Sequence, residues 1–101
     1  MGAEVFMASA FGKDINEAFR NAVSNAQHES GHGGYSGTIA EKARFVFIDY
    51  DKERQEGESK RDFIYRLIEQ DDERISDKWG PAGCIVGKTD GHFIFFGWAS
   101  S

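Results

Sequence analysis

Asp14–Ser30 reads DINEAFRNAVSNAQHES, and its apolar residues keep a single spacing. Ile15, Ala18, Phe19, Ala22, Val23 and Ala26 fall at i, i+3, i+4, i+7, i+8 and i+11, a continuous stripe down one side of a helix. Asp14 offers a carboxylate to the first free N–H groups, and Glu17 three residues later completes a capping-box pattern. Glycines at 31, 33 and 34 supply left-handed positions where such a helix stops, so its end is expected near Ser30–Gly34. A helix with one apolar face needs a second layer to cover it.

The flanking sequence supplies that layer. Glu4–Ala10 (EVFMASA) is short and apolar and reads as a strand, broken by Gly12. Beyond the glycines, Ser36–Glu41 is expected as a short strand and Ala43–Tyr50 (ARFVFIDY) as a stronger one. In the latter, Phe45 and Phe47 would face one side and Val46, Ile48 and Tyr50 the other, so it is expected to be central or helix-covered. Asp51–Glu58 is a charged connector. Ser59 with Asp62 caps a second helix, expected from about Lys60 to Ile75, burying Phe63, Ile64, Leu67, Ile68 and Ile75. After the Trp79-Gly80-Pro81 loop, Ala82–Lys88 and His92–Ala99 form a hairpin across Thr89-Asp90-Gly91. The order βα-(β)β-α-ββ predicts one α+β domain over residues 1–101. Its expected form is an antiparallel sheet of four to five strands with two helices packed on one face, a ferredoxin-like variant.

Charge and cysteine usage narrow the function classes. The 101 residues carry 17 acidic and 12 Lys or Arg side chains, a net charge of −5 that disfavours nucleic-acid binding by phosphate neutralisation. A single cysteine, Cys84, excludes an internal disulfide and a thiolate zinc cluster, and its apolar surroundings suit a buried structural thiol. No apolar run reaches membrane-span length, and no basic-then-apolar leader opens the sequence, so a cytoplasmic protein without membrane contact is expected. Phe93, Phe95, Phe96 and Trp98 lack interleaved basic residues, so they read as core and not as a base-stacking platform.

One string matches a catalytic signature. His28-Glu29-Ser30-Gly31-His32 fits H-E-x-x-H, in which His28 and His32 would bind zinc, His92 would supply the third ligand and Glu29 would act as general base. Helical phase opposes it. At about 100° per residue, both histidines continue the polar row of Glu17, Asn21, Ser24 and Asn25, away from the apolar stripe. The glycines between 31 and 37 follow a helix, whereas a dinucleotide loop follows a strand, and no Gly-Lys-Ser/Thr is present. What this loop offers is Gly33, Gly34, Tyr35, Ser36 and Thr38 on a backbone with free N–H groups, a surface for a small polar ligand or a partner protein. Trp79 is either a lid on the core or a contact anchor.

The lead expectation is therefore a non-enzymatic binding domain without cofactor, engaging a partner protein or small ligand through the glycine-rich loop, with a basic partner suiting its acidity. The alternatives are a zinc-dependent hydrolase using His28, His32, His92 and Glu29, and a structural or assembly subunit that pairs through its sheet edge.

Overall fold

The computed structural model describes residues 2–30 and 36–101. Four strands form one sheet: β1 (Ala3–Phe11), β2 (Phe45–Phe47), β3 (Ala82–Val86) and β4 (His92–Ser100), in the order β1-β4-β3-β2. Helix α1 spans Ile15–Ser30, α2 is a single turn at Tyr50–Glu53, and α3 spans Lys60–Glu69. The chain is an α+β fold, as its element pattern predicts.

Helix α1 starts where its cap was expected. The Asp14 carboxylate accepts from the Glu17 N–H at 2.9 Å, and Glu17 reaches back to the Lys13 N–H at 2.8 Å. Its stripe buries Ala18, Phe19 and Ala22 against Phe6 and Ala10 of β1, Cys84 of β3 and Phe95 of β4. Helix α3 opens on Ser59, whose hydroxyl accepts from Asp62 N–H at 3.1 Å, and buries Phe63, Ile64, Leu67 and Ile68 against Ile85 and Phe96. It ends at Glu69 and does not run on to Ile75. Asp71 takes a left-handed φ of 51°, and the Asp71 and Asp72 N–H groups turn back to the Ile68 and Leu67 carbonyls, a Schellman stop.

Two features of the sheet differ from expectation. First, β2 pairs with β3 in parallel, so the sheet is mixed and not purely antiparallel. The segment 48–81, with α2 and α3, forms the long crossover that a parallel pair requires. Second, the helices lie on opposite faces. Phe95 and Phe96 are adjacent in β4 and point to opposite sides, as do Cys84 and Ile85 in β3; each pair splits between the α1 cluster and the α3 cluster. A sheet apolar on both faces needs a cover on each, so the ferredoxin-like arrangement with both helices on one side is not the one found.

Local chemistry also replaces one expected strand and shortens another. Ser36–Glu41 ends in a 3-10 turn, Ile39–Glu41, because the Thr38 hydroxyl caps the Ala40 N–H at 3.2 Å. Ala43–Tyr50 is extended only over Phe45–Phe47, since the Asp49 carboxylate caps α2 by accepting from Lys52 N–H.

Candidate binding site

The hydrogen-bond phase of β1 determines which of its groups are free. Gly2 and Ser101 exchange both backbone bonds at 3.1 Å, and Gly12 N–H donates to Gly91 carbonyl at 2.9 Å. Pairing along β1 and β4 is unbroken between these points. In an antiparallel ladder such pairs alternate, so the even residues of β1 bond β4 and the odd residues turn their N–H and C=O groups outward. The Phe11 carbonyl confirms the phase, because it accepts from the Asn21 amide of α1 at 2.8 Å on the outer side. Among the described residues, nothing bonds the outward groups of Ala3, Val5, Met7 and Ser9. β1 is thus an open edge, lying at the end of the strand order.

The same odd residues project to the sheet face that α3 covers only over β3 and β4. Val5 is 40% exposed, Met7 41% and Phe11 63%, a row of large apolar side chains in water. Along the edge runs a groove of about 350 Å³ between β1, the last turns of α1 and the 3-10 turn, lined by Val5, Met7, Ala26, Glu29, Thr38 and Ile39 among others. Gly37 lies on its rim at φ +70°, and a Cβ there would collide with the Glu4 carboxylate. The Gly37 N–H donates to the Ser100 carbonyl at 2.8 Å, fixing the loop to β4.

The residues singled out in the sequence are distributed as follows. Gly33, Gly34, Tyr35 and His32 lie outside the described residues. Ser36 and Thr38 are described, but their hydroxyls are engaged locally: Ser36 donates to Glu41 at 2.7 Å and pairs with Thr38 at 2.7 Å. Thr38 nonetheless lines the β1 groove. Trp79 is 58% exposed, with its backbone N–H donating to the Asp77 carboxylate at 2.8 Å, so it is not a lid on the core.

Lys42, which the sequence reading passed over, ties these pieces together. It is 5% exposed, and its ammonium donates to the carbonyls of Asp77, Lys78 and Gly80 at 3.3, 3.1 and 2.9 Å. Three donors meet three acceptors, which satisfies the buried charge. Burial pushes its pKa below the usual 10.5, against the pull of Asp77. Its backbone N–H closes the 3-10 turn on Ile39, so the Thr38 turn and the Trp79 loop are joined by one side chain. No local sequence signal marks this role, because all three acceptors lie more than thirty residues away.

The described residues of the zinc alternative lie apart. His28 and Glu29 are exposed in the last turns of α1. His92 opens β4 beside Phe11, its ring 4.7 Å from the Phe11 ring and its Nδ1 accepting from Lys88 N–H at 3.1 Å. Since Phe11 and Gly12 lead directly into α1, His92 lies at that helix's first turn. His28 is about 20 Å further along its axis at about 1.5 Å per residue. Among the described residues, no three His, Cys, Asp or Glu side chains are grouped to hold a metal.

A second groove, of about 400 Å³, lies on the other flank of α1, lined by Arg20 and Arg44 together with Phe19 and Phe45. Cys84 is fully buried and desolvation pushes its thiol up to about 12, a structural thiol. No described helix is long and apolar enough to cross a membrane. Comparison with protein-family models, with curated proteins and with solved structures finds no match for this chain.

Proposed function

We propose that this protein is a non-enzymatic binding domain whose contact surface is the open edge of β1, with the Thr38 turn at one end. One observation carries the reading: the outward N–H and C=O groups of Ala3, Val5, Met7 and Ser9 are unbonded among the described residues, beside exposed Val5 and Met7. Edge strands that serve no contact are usually short, charged, bulged or broken by proline. β1 has nine residues, an unbroken register and one charge, Glu4. The single buried thiol suits a reducing compartment, and we place the protein in the cytoplasm on that ground.

The test is a selection of binders from a displayed library of peptides and small domains, counter-selected on Met7→Lys and mapped by amide shifts. Selected binders should perturb Val5, Met7 and Thr38 and lose affinity for Met7→Lys. A set that maps consistently to the Arg20–Arg44 groove, indifferent to Met7→Lys, would overturn the reading.

A further inference from the structure

The geometry of β1 also restricts what can occupy it. A strand added at the edge lies about 4.8 Å from β1 and under the flank of α1. Helix α1 packs on β1 and β4, and Asn21 reaches over the edge to the Phe11 carbonyl. A second copy paired antiparallel, edge to edge, would bring its own α1 onto the same face beside this one. A bare strand carries no such helix. It fits the groove between β1 and Ala26, Glu29 and Thr38.

The two faces of that strand would meet different chemistry. On one side its side chains lie beside Val5 and Met7, which are apolar and exposed. On the other they approach Glu29 on the groove wall, with Glu4 at the same end against Gly37. Neither carboxylate has a hydrogen-bond or ion-pair partner among the described residues. The chain as a whole carries −5. Since neighbouring strand residues face opposite ways, the complementary sequence alternates apolar with basic.

We propose that β1 captures an extended segment of alternating apolar and basic residues by strand addition, making a fifth strand on the sheet. This rests on the reading of β1 as the contact surface and adds the class of partner. Backbone bonds supply the affinity in this mode, and the alternate side chains supply the selection.

The probe is a fluorescent, end-blocked octapeptide of alternating lysine and valine, titrated by anisotropy and mapped by amide shifts. Its control has the same composition in the order Lys-Lys-Val-Val. Two further versions carry backbone N-methyl groups on every valine or on every lysine. Saturable binding that perturbs Val5, Met7 and Ser9 is expected, with the control weaker by about tenfold or more. One N-methylated version alone should lose binding. Antiparallel addition turns the valine N–H groups to β1 and parallel addition the lysine ones, so the loss also reports orientation. Met7→Pro should abolish binding while leaving the fold intact, since the Met7 N–H makes no bond to β4. If that variant misfolds, Glu29→Lys must still weaken binding severalfold.

Equal binding of alternating and control peptides, or of both N-methylated versions, would overturn strand addition. Should those peptides still map to β1, the contact-surface reading stands. Self-association through β1, seen by sedimentation and removed by Met7→Lys, would likewise replace the peptide with a second copy and leave the surface reading intact. Shifts confined to other regions would count against both.

Discussion

At one edge of the sheet β2 spans three residues, Phe45–Phe47; at the other β1 spans nine, Ala3–Phe11. The short edge is bounded at both ends. β2 is bounded by the caps at Thr38 and Asp49, and the Lys42 ammonium fastens the approach to β2 onto the loop that leads into β3. The Ala82 N–H then bonds the Arg44 carbonyl at 3.0 Å and starts the parallel pair. Among the described residues, β1 has none of these devices on its outer side, where the Phe11 carbonyl alone is held. Three residues of edge offer little free backbone and nine offer much more, and that difference is why we propose the contact surface at β1.

The largest effects should come from the layers beneath both edges. Phe63→Ala removes a fully buried ring of the α3 cluster, and Phe19→Ala one that packs 5.4 Å from Phe95 in the α1 cluster. Each should cost about 3–5 kcal/mol in a urea melt, enough to unfold much of a domain of ordinary stability. If Phe19→Ala were nearly neutral, α1 would not be gripping β1, and the edge beneath it would not be a fixed surface.

Next comes the fastening beside the short edge. Lys42→Met keeps the aliphatic stem but strips the ammonium from three carbonyls, which should cost about 1–3 kcal/mol. The expected signature in hydrogen exchange is local: faster exchange at Gly80 and Ala82 than at Phe6 and Ala8. A uniform loss across the sheet would mean that Lys42 serves the whole core and not the β2 side.

A smaller, pH-dependent effect lies on the same side. Arg74 bonds Glu53 at 2.8 Å and Asp72 at 2.9 Å, and these bonds hold both carboxyls below their usual 4.5 and 3.8. A carboxylate whose pKa folding lowers stabilises fully above its unfolded value, and that stability is lost as pH falls through the folded value. Wild type should therefore weaken from about pH 5 downward, and Arg74→Gln should flatten the slope. Because Glu53 and Arg74 are each more than a third exposed at the side chain, solvent screening keeps the contribution near 1 kcal/mol or less. An unchanged slope in Arg74→Gln would assign acid sensitivity elsewhere.

How far the sequence foretold this layout depends on the range of the interactions involved. The stripes of α1 and α3 and their caps at Asp14 and Ser59 are local and legible, as is the Asp90-Gly91 hairpin. The split of the core overturns the expectation of both helices on one face, although Phe95-Phe96 and Cys84-Ile85 place apolar side chains on both sides of the sheet. The parallel pairing of β2 was not, because it follows from where α3 docks, a matter of packing between distant segments. Lys42 beside Glu41 resembles a solvated pair until the 77–80 loop closes over it. The candidate loop was found through its glycines, but the open edge depends on strand order, which alternation of apolar residues does not specify. Seven residues of EVFMASA look the same in an edge strand as in a central one.

The smallest stability change is expected where the contrast between edges is greatest. Val5→Thr together with Met7→Thr alters two half-exposed side chains that face water, so stability should move by no more than about 0.5 kcal/mol. β-branched threonine suits a strand as well as valine does. Amide exchange in both wild type and the double variant should alternate along β1: slow at Phe6 and Ala8, whose N–H groups bond β4, and fast at Val5, Met7 and Ser9, whose N–H groups point outward. That alternation depends on ladder phase alone, and the backbone bonds between Gly2 and Ser101 and from Gly12 to Gly91 fix the phase independently of any side-chain contact. Uniform protection along β1 would mean its outer side is already bonded in the free protein. β1 would then be a closed edge, and the case for a strand-shaped partner would fail with it.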